Sequence, residues 1–154
     1  GLQAVKRKDT PPSMMRVEVA ANANVFLTPK AAEAYLAVLA EPLGDEDRLA
    51  LQRVASSYRS REAQERLINK WFGLGFGGRR MHQLTASEQK VARAAGFIGA
   101  PAPVNAATGH QRGEALDLPP SLSQAARGAL ERHGWRECAA AVGDLGHWEW
   151  RAVW

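Results

Sequence analysis

The chain has 154 residues, 45% apolar and 23% charged, which is the composition of an ordinary globular protein rather than a disordered one. No apolar run approaches the roughly 18 residues that cross a bilayer, so no membrane span is expected. The net charge of +4 favours anionic polymers, but the cationic clusters Lys6-Arg7-Lys8 and Arg79-Arg80 lack the interleaved aromatics of a nucleic-acid reader, and no nucleic-acid partner is expected. The single cysteine, Cys138, excludes an internal disulfide and a zinc site built from cysteines.

Residues 1–13 read as a flexible lead-in ending at Pro11-Pro12; their basic residues precede no apolar stretch, so they do not form a secretory signal. Residues 27–44 carry a helix, with Thr28 as N-cap, Pro29 in the first turn, and Pro42 and Gly44 stopping it. Residues 49–58 mix helical and strand features, and Val54 to Tyr58 reads as a short strand. Residues 60–72 predict an amphipathic helix capped by Ser60, with Ala63, Leu67, Ile68 and Trp71 on one face. GLGFGGRRMHQ (73–83) reads as a mobile glycine-rich loop. Its formal G-x-G-x-x-G follows a helix rather than a strand, so nucleotide binding is not expected. Thr85 and Glu88 form a capping-box signature for a helix ending near Gly96. A loop of small residues and prolines (98–109) leads to a strand over 114–118. A helix over 121–135 is closed by Gly134, and 146–154 alternates as a strand. The expected class is α+β: a single domain with a small antiparallel sheet, flanking helices and no internal repeat.

Alternation in HWEWR places His147, Glu149 and Arg151 on one side and Trp148 and Trp150 on the other. In EALDL it places Leu116 and Leu118 in the core and Ala115 and Asp117 opposite. A carboxylate in such an apolar run is costly unless it is compensated. If the two strands are neighbours, Asp117 and His147 converge, and His110 completes a group of three. Two histidines and a carboxylate form a common catalytic zinc set with a fourth position open for water. Asp144, three residues before His147, stands where a general base could act on that water. Spacing alone leaves a bland alternative open: a surface His110, an Asp117 that caps a turn and a His147 satisfied by a neighbour. His82 reads as solvated, His133 as a cation at a helix end, and Cys138 as buried and inert.

TGHQRGEALDL (108–118) resembles the S-x-H-x-x-G-x-A-x-D signature of the zinc D-Ala-D-Ala metallopeptidases. That group includes VanY-type carboxypeptidases, VanX-type dipeptidases and phage L-alanyl-D-glutamate endopeptidases. Thr108 stands where the family has Ser, and His110, Gly113, Ala115 and Asp117 match. DLGHW resembles the second motif through Asp144 and His147. SSYRS (56–60), followed by Gln64, resembles the upstream S-x-Y-R-S. The resemblance implies a Hedgehog/D,D-peptidase-like fold over residues 14–154 and one zinc ion (Zn2+) held by His110, Asp117 and His147. It implies Asp144 as catalytic base, Arg59 as the group that binds a substrate carboxylate or developing oxyanion, and Gln64 and Thr108 as weaker substrate-side contacts. It also implies a peptidoglycan stem peptide as substrate and action at the cell wall, either as a lysin or within a larger phage or phage-like assembly. Asp rather than Glu at the base position tilts the reading to an endopeptidase. The alternative is a D,D-carboxypeptidase, and the third reading is a non-catalytic zinc-bound wall-binding module, against which Asp144 argues. Residues 1–50 match no motif.

Overall fold

The computed structural model describes residues 2–8, 10–19, 25–97, 99–101, 109–138 and 146–154. In chain order the elements are β1 (Ala4–Val5), β2 (Met15–Val17), β3 (Val25–Leu27), α1 (Pro29–Leu39), α2 (Asp45–Leu51), α3 (Arg61–Gly73), α4 (Ala86–Ala94), α5 (Gly109–Arg112), β4 (Ala115–Asp117), α6 (Gln124–Arg132), β5 (Trp135–Glu137) and β6 (His147–Trp150). The expected α+β class holds, with two antiparallel three-stranded sheets in place of one. The chain parts into two compact units: Gly1–Tyr58 with Gly109–Trp154, and Arg59–Thr108.

In the first unit, β1, β2 and β3 form one sheet in that order. β1 falls within the stretch expected to be a lead-in; its residues pair with β2 at Ala4↔Val17 and Val5↔Arg16. α1 buries Ala31, Ala32, Tyr35, Val38 and Leu39, a helical stripe that packs with Val17, Val25 and Leu27 of this sheet. Thr28 precedes α1 as expected, but its hydroxyl makes no cap bond and is buried without a partner among the described residues. Pro29, which needs no N–H partner, fills the first helical position. The strand expected over Val54 to Tyr58 is not a strand. The helical features won as far as Leu51, and beyond it the chain makes a lone bridge between Ser56 and Asp117.

The second sheet has the order β4-β6-β5. Its inner face carries Leu116, Trp135 and Trp148, each no more than 1% exposed. Burying each of these large side chains contributes roughly 1.5–3 kcal/mol or more. α6 packs Ala126, Ala129 and Leu130 into the same core, and its first turn is capped by the Ser123 hydroxyl, which accepts from Ala126 N at 3.1 Å. The helix expected to run to residue 135 stops at Arg132, and Trp135 opens β5 instead.

The unit of residues 59–108 has its own small core of Trp71, Phe76, Leu84, Ala92 and Phe97. The Trp71 ring meets Phe76 and Phe97 edge-on, with centroids 5.2 and 5.1 Å away. Ser60 caps α3, and the Thr85–Glu88 capping box opens α4, both as the sequence predicts. The glycine-rich loop is anchored by Phe76, only 3% exposed, while His82 is solvated.

Candidate metal centre

Cross-strand register positions two of the three expected ligands. Asp117 of β4 lies directly opposite His147 of β6, and Leu116 lies opposite Trp148. With Leu116 and Trp148 in the core, alternation turns Asp117, His147 and Glu149 to the other face. A slip of one residue would bury the polar set and expose the apolar one, so the core enforces the register. Backbone bonds also tie Asp117 to the segment before α3: Ala55 N donates to Asp117 O at 2.8 Å, and Asp117 N donates to Ser56 O at 2.9 Å.

His110 arrives on α5, a single helical turn that Gly113 ends. Gly113 has φ +75°, and a Cβ there would lie 2.5 Å from Met14 Sδ. Its carbonyl accepts from Thr28 N at 2.9 Å, so both conformation and space require glycine. Gly146 plays the same part before His147: its φ is +94°, and a side chain would collide with the Leu118 carbonyl oxygen.

Asp117 Oδ1 stands 3.2 Å from His110 Nε2 and 3.0 Å from His147 Nδ1. The two rings are 5.0 Å apart by centroid. Each ring has its second nitrogen already committed. His110 Nδ1 lies 2.7 Å from Ser57 O; a carbonyl only accepts, so Nδ1 carries the hydrogen. His147 Nε2 lies 3.3 Å from Glu149 Oε2, and it donates to that carboxylate. When both rings are neutral, their inward nitrogens are therefore lone pairs facing a carboxylate oxygen. Three donors of electron density repel one another unless a cation lies among them, either a proton or a metal ion.

Protonation behaviour shows the same attraction. Burial pushes the Asp117 carboxyl up, but the hydrogen bonds and charges of His110 and His147 outweigh it and hold the group well below the usual carboxylate range. Burial pushes the His147 imidazolium down, but Asp117 and then Glu149 outweigh it and raise its pKa. His110 is 8% exposed, and the Asp117 and His147 side chains are 24% and 18% exposed, so water screens the group only in part. One donor atom from each of the three residues falls within 4.8 Å of the other two, and the group is able to hold a metal ion.

The remaining expected site residues are placed differently. Arg59 and Gln64 lie in the unit of residues 59–108, where Arg59 Nη1 donates to Gln64 Oε1 at 3.0 Å and Gln64 is 2% exposed. Thr108 and Asp144 lie outside the described residues. Sequence reasoning missed Ser57 and Glu149 as partners of the histidines, and Arg112 as the partner of Glu149. Glu149 was legible as sharing a strand face with His147, but a backbone carbonyl such as that of Ser57 leaves no trace in sequence. Cys138 is half-buried rather than fully buried, and burial pushes its thiol up, away from the reactive thiolate. No family model matches the chain, and a search of curated proteins finds no match.

Proposed function

We propose that this chain is a zinc-dependent peptidoglycan hydrolase that cleaves an amide bond of the stem peptide, as an endopeptidase. The observation that carries this reading is the convergence of two imidazole nitrogens and a carboxylate oxygen, with each ring's other nitrogen already bound. Two nitrogens and one oxygen with no thiolate, from His110, His147 and Asp117, are a donor set that would suit zinc. A zinc ion held by these residues would supply Lewis acidity towards a carbonyl and would lower the pKa of a water towards about 7. His110 and His147 bind as neutral rings, and the charge of Asp117 offsets part of the cation's. Asp144 takes a proton from the attacking water and returns it to the leaving amine. Arg59 stays charged and offers a fork of donors to a substrate carboxylate or to the developing oxyanion, with Gln64 holding it. Thr108 keeps a hydroxyl where the resembling family has Ser. Three motifs in the family's order, SSYRS, TGHQRGEALDL and DLGHW, support the assignment of these roles.

The test is digestion of purified peptidoglycan by the zinc-loaded protein, with mass spectrometry of the products. Cut stems or cross-links are expected. Release of terminal D-Ala alone selects the D,D-carboxypeptidase, and a protein that binds wall without releasing peptide is a non-catalytic module.

A further inference from the structure

His147 meets Asp117 through Nδ1, yet a histidine ring is free to carry its hydrogen on either nitrogen and to turn either one inward. For His110 the main chain removes that freedom, because the Ser57 carbonyl holds Nδ1. For His147 the corresponding acceptor is a side chain. We propose that Arg112 and Glu149 form a positioning pair that fixes the orientation and tautomer of His147 for the metal. This inference rests on the metal centre proposed above.

Glu149 bridges the two residues with different oxygens. Oε2 lies 3.3 Å from His147 Nε2, and Oε1 lies 3.1 Å from Arg112 Nη2. Its side chain is only 17% exposed, so its charge is poorly solvated and needs a fixed partner. Arg112 supplies that partner although its Nε also lies 3.4 Å from Glu114 Oε1. The guanidinium therefore holds Glu149 from one side while the imidazole N–H holds it from the other. Arg112 sits two residues from His110 on α5, so the same turn of helix delivers one ligand and steadies the carboxylate behind the other. A carboxylate accepting from the distal N–H also makes the ligating nitrogen a stronger donor.

The experiment compares Glu149→Ala, Glu149→Gln and Arg112→Ala with the wild type by two readouts that need no substrate. One is zinc affinity by chelator competition; the other is nitrogen NMR of the histidine rings in the zinc-loaded protein. Glu149→Ala is expected to weaken zinc by about 10- to 100-fold and to release the His147 Nε2 hydrogen into fast exchange with water. Glu149→Gln keeps an acceptor oxygen and is expected to hold both zinc and that hydrogen nearly as well as wild type. Arg112→Ala, at a partly exposed position, is expected to cost less than about 10-fold and tests the pair even if Glu149→Ala fails to fold. Unchanged zinc affinity and an unchanged Nε2 hydrogen in Glu149→Ala, or in Arg112→Ala where Glu149→Ala does not fold, would overturn the proposal, as would a Gln variant as damaged as the Ala variant. A wild type that binds no zinc sinks the metal centre and the positioning pair together. A wild type that binds zinc but leaves peptidoglycan intact sinks only the hydrolase reading.

Discussion

The two units of this chain divide their chemistry unevenly. The unit of residues 59–108 holds eight Lys and Arg against three Glu, a surplus of +5. The remainder holds twelve against thirteen acidic residues, or −1, and it carries all three candidate ligands. The net basicity therefore belongs to a helical unit with a small aromatic core. Two of the three candidate ligands, Asp117 and His147, belong to a sheet whose large core fixes side-chain positions through register, and the third, His110, belongs to the α5 turn. Two of the candidate ligands thus sit where strand register fixes position, while the surplus positive charge sits in the helical unit.

The largest effects should come from breaking the sheet-borne group. Asp117→Asn removes the charge that both histidines face while keeping its shape. Because residues behind the ligands typically matter by 10- to 100-fold, this variant should lose more than about 100-fold in zinc affinity by chelator competition, with hydrolysis falling to background. Next come the cores. Leu116→Ala, at a fully buried position between Ala115 and Asp117, should cost about 2–5 kcal/mol in denaturant unfolding and weaken zinc binding as well. Trp71→Ala should cost about 3–5 kcal/mol where residues 59–108 unfold, yet leave zinc affinity unchanged, since the three candidate ligands all lie in the other unit.

pH separates the metal-free and metal-bound states by sign. In the metal-free protein the raised pKa of His147 contributes stability that is fully present below the ring's ordinary value of 6.5 and is lost as pH rises through the raised one. Asp117, with its pKa lowered, contributes stability present above 3.8 and lost as pH falls through its depressed value. Zinc competes with the proton on His147, so its affinity should rise by up to about tenfold per pH unit per proton displaced and level off above the raised pKa. Metal-free stability should thus fall over the same pH range in which zinc affinity climbs; titrations of both against pH check this. The smallest effect concerns the charged unit. Arg66→Glu and Lys90→Glu, both at exposed positions, should weaken binding to anionic wall in a sedimentation assay severalfold at low salt and little at high salt.

Much of the sheet-borne group was legible because alternation is a local property. HWEWR and EALDL each declare an apolar and a polar face, and Asp117 opposite His147 follows once the strands pair. Ser60, Thr85 and Glu88 were legible because a cap needs particular side chains at particular spacings. Pairing over distance was not. β1 and β2 are short and flanked by polar residues, and nothing near Ala4 announces Val17 as its partner. β5 was hidden because Trp135 and Gly134 together look like the end of the preceding helix. The partners that orient the rings were hidden for a related reason: the Ser57 carbonyl and the Arg112–Glu149 contact exist only after the fold has formed.

The most direct test of the central claim is metal content together with X-ray absorption at the zinc edge. Wild type should retain one zinc per chain with two imidazoles and a carboxylate oxygen among its ligands, and a His110→Ala, His147→Ala double variant should retain none. Zinc held equally well by that double variant, or none held by the wild type, would contradict the account.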